Sequence, residues 1–238
     1  PKWDEWMKRW PTPKDLAKAS PADVITAWGR LGYPRRALRL HGAAQIIAED
    51  FNNQVPEDPA ILQTLPGIGE YTAAAIAAFA FEKQTLVMDV NIRRLLTRVI
   101  DGNEHPKPAP TVKEKASRLA LQPSKNAHIW AAATMELGAL VCTSKNPICE
   151  QCPVIGQCNW RKNGYPKTDL VRKSQDWHGT DRKCRGTIVQ ALRENESLTE
   201  SAIKKLWPDE SQIEKALKTL QDDLLIEAIP RKRYRLPA

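Results

Sequence analysis

Cys142, Cys149, Cys152 and Cys158 lie within seventeen residues, spaced C-x6-C-x2-C-x5-C, in a chain of 238 residues with one further cysteine, Cys184. Sulfurs packed this closely cannot form the spread-out framework by which disulfides staple a small secreted domain. They can converge on a shared metal in a reducing compartment. Four thiolates suit zinc or an iron–sulfur cluster. The loop holds only one C-x2-C knuckle and no histidine, whereas zinc ribbons usually supply two knuckles. The residues alone leave both metals open.

The rest of the chain narrows the function classes. Its net charge of +8 favours a polyanionic partner, nucleic acid before acidic membrane. No run approaches the roughly 20 apolar residues of a membrane span, and the start has no signal-peptide pattern. The length allows one large domain and a small one. The chain begins PKWDEWMKRWPTP, without Met, inside or just before a helix, with Trp3, Trp6 and Trp10 at helical spacing. This start suggests that residues are missing upstream.

Helical periodicity dominates up to about residue 141. In PADVITAWGRLG, Ser20 reads as an N-cap and Pro21 as the first helical residue. PRRALRLHGAAQIIAEDF puts Ala37, Leu40, Ala44 and Ile47 on one stripe. TAAAIAAFAF is apolar all round and predicts a central buried helix. NIRRLLTRVI and NAHIWAAATMELGALVC add further helices. Residues 161–180 turn polar, basic and aperiodic, as a linker does. From Asp181 three helices are expected, one with Thr199 as N-cap, followed by the strand-like LIEAI and YRLPA joined by PRKR. That order predicts a winged-helix-like module, with Arg231–Arg235 as a basic wing.

LPGIGEYTAAAIAAFAF places Leu65, Pro66, Gly67, Ile68 and Gly69 between two helices. Pro66 forbids continuation of the first helix, and the glycines permit positive φ and leave the backbone bare. Such a turn at a helix N-terminus can hold a phosphate through N–H groups alone. Twenty positions beyond Gly69, Asp89 lies in VMDVNIRRLLTR, after an apolar run and before a helix. By itself Asp89 reads as an N-cap. Beside a phosphate-binding turn in a basic chain, and followed by Arg93, Arg94 and Arg98, it reads as a carboxylate kept for chemistry.

Hairpin, aspartate and four-cysteine loop, in this order and spacing, resemble the helix-hairpin-helix base-excision DNA glycosylases. WGRLGYPRRALRLH and TMELGALVC resemble the MutY-type adenine glycosylases more than the endonuclease III branch. The resemblance covers roughly residues 1–160. It implies a mainly α helix-hairpin-helix glycosylase domain with a [4Fe–4S] loop at 142–158; beyond its reach, the residues themselves read as a basic linker at 161–180 and a winged-helix-like α+β module at 181–238. The resemblance implies that the four cysteines hold a structural cluster outside the active site. It makes Asp89 the catalytic carboxylate, with Asn91 as its hydrogen-bonding neighbour. Where relatives that also cut the backbone carry a lysine, this chain has Tyr71, which implies base removal without strand cleavage. Tyr33 matches an aromatic wedge, although Pro34 stands where the family usually has a second aromatic. Leu65, Gly67, Ile68, Gly69 and Arg93 complete the expected DNA contacts.

The implied activity is hydrolysis of the N-glycosidic bond of adenine opposite 8-oxoguanine or guanine. The implied protein is a monomer acting on mispaired duplex DNA in the cytoplasm, at the nucleoid. Two departures stand out. The family's general-acid glutamate would fall upstream of Pro1, so the chain by itself is expected to be weak or inactive. Residues 181–238 are also too short for the Nudix-like domain of many MutY-type enzymes. Two rival readings are an iron–sulfur redox sensor that binds DNA through its winged helix, and a glycosylase for another mispair such as thymine opposite guanine.

Overall fold

In chain order the helices are α1 Lys2–Arg9, α2 Pro13–Ala17, α3 Pro21–Trp28, α4 Arg35–Asp50, α5 Pro59–Leu62, α6 Glu70–Phe81, α7 Val90–Leu96, α8 Val112–Leu119, α9 Ala127–Leu140 and α10 Asn159–Lys162. Then come α11 Asp181–Glu194, β1 Leu198–Thr199, α12 Glu200–Lys204, α13 Glu210–Asp222, β2 Glu227–Ile229 and β3 Arg233–Arg235. This computed structural model describes residues 2–168 and 179–238. No helix among the described residues is long and apolar enough to cross a membrane. The described residues divide into two units, one of residues 2–55, 65–67 and 179–238, the other of 56–64 and 68–168.

In the first unit the helix starts follow local chemistry. Ser20 and Thr12 cap α3 and α2 with their side chains, each followed by proline at the first helical position. Trp6 packs edge-on against Trp10 and Trp28 at 5.0 and 5.7 Å between centroids, over Leu16, Val24, Ala37 and Ala44. Trp3 stays exposed. The stripe of α4 is shifted from the expected one. Ala37, His41, Ala44 and Ile47 are buried, but Leu40 is 42% exposed. Three-residue spacing from Ala37 carries Leu40 to the edge of the face, and His41 takes the inner place.

The C-terminal part has the expected three helices and hairpin. It also has a strand not read from the sequence: β1 pairs antiparallel with β3, giving the order β1-β3-β2. Two residues are too few to show alternation, so β1 left no periodic signal. Thr199 caps α12 as expected. Ile188, Val189, Leu192, Ile203, Ile213, Leu217 and Leu220 form the core of these helices, and Ile25 of α3 belongs to the same core.

In the second unit the core joins Ala74, Ala78, Val87, Ile92, Leu96 and Ala131. The small alanines of α6 and α9 bring these helices close, as their composition suggests. α6 is not buried all round, however: Ala73, Ala74, Ala77 and Ala78 are covered while Phe79 is 44% exposed. An unbroken apolar run cannot show which of its faces is inward. The start of the expected linker is tied down, because Trp160 donates to the Pro166 carbonyl and Thr168 to Glu104. Residues 169–178 of that segment lie outside the described residues.

Candidate active site and cysteine loop

Asp89 is the N-cap of α7, with extended backbone. One carboxylate oxygen accepts the Ile92 N–H at 2.6 Å and the other accepts the Asn91 side-chain amide at 2.9 Å. The cap fixes the carboxylate's direction at the positive end of a helix. Tyr71, in the first turn of α6, is half-exposed. Burial, and then the negative charge of Asp89, push its phenol above the ordinary range. The phenol thus stays neutral in the field of the carboxylate.

Behind Asp89 stands a buried arginine. Arg94 is 8% exposed. It donates to Asn91 Oδ1 at 2.9 Å, to the Cys142 carbonyl at 2.8 Å and to the Gly138 carbonyl. A continuous run of hydrogen bonds therefore links Asp89, Asn91, Arg94 and the first residue of the cysteine loop. Gly138 of α9 closes the contact. A Cβ there would sit 2.6 Å from the Asn91 carbonyl oxygen, so only glycine lets the two helices meet this closely.

α7 continues into a π-helical turn, Thr97–Asp101, that ends at Gly102 with φ +71°. Arg98 in this turn is 1% exposed. It donates to Cys142 Sγ at 3.4 Å and to the Thr143 carbonyl at 2.8 Å, and lies 4.5 Å over the Trp160 ring. Charge and donors of Arg98 thus face the cysteine loop rather than solvent, and π turns of this kind recur at functional positions.

Cys142, Cys149, Cys152 and Cys158 line one cavity together with Arg98 and Trp160. Burial raises the Cys152 thiol, and the three other cysteines add to that rise. Among the described residues no set of three or more His, Cys, Asp or Glu side chains is drawn in to metal-ligand geometry. The donor chemistry does fit a cluster: four soft sulfurs, largely apolar walls and a nearby cation to offset thiolate charge. Cys184 is separate, fully buried in the core of α11–α13.

The other expected residues take different positions. The hairpin is present, with α5 capped by Asp58 and α6 starting from Gly69. Gly67 has φ +79° and Arg39 lies against it, so a side chain would fit neither the backbone nor the space. Leu65 is 2% exposed and Ile68 half-buried, which leaves the exposed Gly67 and Gly69 as the bare backbone of the turn. Arg93 is engaged by Glu114 at 2.9 Å and by the Lys107 carbonyl at 3.1 Å. Tyr33 is 64% exposed, with φ +47°. Sequence reasoning missed the roles of Arg94, Arg98 and Gly138. The contacts that join α7 and its π turn to α9 and the cysteine loop span more than forty residues, so no local pattern marks them.

These features agree with sequence and structural relationships. The chain belongs to the HhH-GPD superfamily of base excision DNA repair proteins, whose sequence profile matches residues 1–120. It is 44% identical over 239 residues to an adenine DNA glycosylase of Mycobacterium tuberculosis, covering 99% of this chain and 78% of that protein. It is 42% identical over 161 residues to the human adenine DNA glycosylase, covering 66% of this chain but 29% of the human protein. The fold resembles that of a thermostable thymine-DNA glycosylase, with TM-score 0.63 and 23% identity over 68% of this chain and 75% of the other. It also resembles endonuclease III in a non-covalent DNA complex, with TM-score 0.59 and 21% identity over 69% and 77% of the two chains.

Proposed function

We propose that this protein is an adenine DNA glycosylase that removes adenine mispaired with 8-oxoguanine or guanine and leaves the strand uncut. The observation that carries this reading is the fixed Asp89 carboxylate beside Tyr71. Cleavage of the N-glycosidic bond sends the bonding electrons to the leaving base and leaves positive charge on the sugar. Asp89, already oriented by Asn91 and the Ile92 N–H, stabilises that charge without reorganisation. Water then adds to the sugar carbon and releases one proton to solvent, which balances the proton that the departing base takes up. Protonation of the leaving base is a separate step, and no residue of this chain is assigned to it. Tyr71 offers no amine, so no imine forms to start strand cleavage.

Extrusion of the target nucleotide precedes this chemistry. In this reading Tyr33 enters the base stack, and the exposed backbone at Gly67 and Gly69 holds a phosphate. Cys142, Cys149, Cys152 and Cys158 hold a [4Fe–4S] cluster that pins the loop and uses all four ligands. Arg98 offsets its charge. The protein acts as a monomer on duplex DNA.

The test uses full-length, iron-loaded protein and a duplex with adenine opposite 8-oxoguanine. The reading predicts strand breaks only after alkali treatment. Breaks without alkali would contradict the monofunctional reading, and intact strands after alkali would contradict the glycosylase reading itself.

A further inference from the structure

The loop between α3 and α4 is shaped to present one side chain. Gly29, Gly32 and Tyr33 all have positive φ. A bulky residue in that region is a steric outlier, and backbone strain of this kind gathers at functional sites. Trp28 Nε1 donates to the Gly32 carbonyl at 2.8 Å, and Arg36 lies 5.6 Å over the Trp28 ring. These contacts secure the base of the loop and leave the Tyr33 ring projecting.

A group that lies over this ring comes from the C-terminal module. The Arg182 guanidinium of α11 lies 5.3 Å from the Tyr33 centroid. Asp223, which follows α13, pairs with Arg35 at the start of α4 at 3.2 Å and with Arg185 of α11. Below them Ile25 of α3 is fully buried in the core of α11–α13, and Arg193 Nε donates to its carbonyl at 3.1 Å. The module thus grips both helices that flank the loop. The exposed part of α13, its third helix, carries Glu210, Glu214 and Asp222 beside Lys215 and Lys218. That is a poor charge pattern for a helix entering a DNA groove.

We propose that the C-terminal module is a positioning element for Tyr33: Arg182 holds the ring by stacking, and Asp223 fixes the start of α4. The proposal rests on the glycosylase reading and deepens it, because it gives the module a part in probing the duplex. A ring already held in a presenting pose loses less freedom when it enters the stack. Arginine suits this task because its planar guanidinium stacks on an aromatic face. Arg182 acts through Tyr33 and is a positioning residue, not a catalytic one.

The test uses the full-length protein and a duplex with 2-aminopurine beside the mispaired adenine, whose fluorescence rises on unstacking. Wild type is compared with Arg182→Ala, Arg182→Lys, Tyr33→Ala and the Arg182→Ala/Tyr33→Ala double variant. Arg182 is exposed, so these changes leave the fold intact, and a melting curve checks this. We expect Arg182→Ala to lower the fluorescence rise and to weaken mispair-selective binding about two- to fivefold, the scale of an exposed cation–π contact. Arg182→Lys should keep the salt dependence of binding without restoring the fluorescence. In the Tyr33→Ala background, Arg182→Ala should cost nothing more. An equal loss in both backgrounds would show that Arg182 merely supplies charge to a phosphate, and would overturn the proposal. An unaffected Arg182→Ala beside a wild type that unstacks the mispair overturns this inference alone. A wild type that unstacks no duplex overturns the glycosylase reading and this inference with it.

Discussion

Replacing Gly138 with alanine adds one methyl group where the structure has no room for it. The new Cβ would lie 2.6 Å from the Asn91 carbonyl oxygen, 2.8 Å from its carbonyl carbon and 2.9 Å from its Cβ. Two of these three neighbours are backbone atoms, so no rotamer change relieves the clash, and α7 and α9 must separate. Overpacking of this kind costs about 1–3 kcal/mol, and a rigid backbone neighbour argues for about 3. Alanine's better helix propensity offsets about 1 kcal/mol. The net loss of about 2 kcal/mol corresponds to a fall in Tm of about 4–8 °C for a protein of this size. The activity effect is larger. Asn91 holds Asp89, the carboxylate of the proposed reaction, and a reacting group displaced by about 1 Å can lose about 100-fold in rate. Single-turnover adenine release at a temperature well below the lowered Tm separates the two effects. If Gly138→Ala matches wild type in both Tm and rate, Asn91 is not positioned by this helix contact and the account of the site is wrong.

Arg98→Met should lower iron content and Tm together, since each orphaned buried carbonyl costs about 1–3 kcal/mol; iron analysis and calorimetry check this, and unchanged values would remove Arg98 from the cysteine loop's support. Glu114 is pushed up by burial, but the hydrogen bond and charge of Arg93, with the charge of Arg118, hold it below 4.5. A depressed carboxylate contributes stability above its unfolded value that disappears as pH falls through the folded one. Glu114→Gln should therefore be less stable than wild type at neutral pH, with the gap closing below pH 4.5; a constant gap in acid melts would contradict the pairing. Tyr71→Lys places an amine near Asp89, and should add alkali-independent strand cleavage and a borohydride-trapped complex. Absence of both, in a variant that still releases adenine, would show that position 71 does not face the sugar.

The local geometry around Asp89 was more legible in the sequence than the packing behind it. Asp89 and Asn91 were legible because capping geometry is local: the side chain reaches the N–H of Ile92, three residues on. The cysteine loop was legible because its spacing is dense and rare. The arginines after Asp89 were not. They read as charges near DNA, yet Arg94 and Arg98 are buried on carbonyls of residues 138–143. Only tertiary packing determines whether an arginine on a helix faces solvent or a distant carbonyl. The same holds for Gly138, whose partner is 47 positions away. The misplaced Leu40 and the exposed Phe79 have another cause. Helical periodicity gives a face to within one residue position, and an all-apolar run gives no face at all.

The most direct measurement compares single-turnover adenine release by the full-length wild-type protein and by Asp89→Asn, on a duplex with adenine opposite 8-oxoguanine. Asparagine is as good an N-cap as aspartate, so the variant should keep its Tm while its rate falls by about 100- to 1,000-fold, the scale of a lost preorganised electrostatic contact. Release at the wild-type rate by Asp89→Asn would contradict the assignment of the carboxylate on which the account rests.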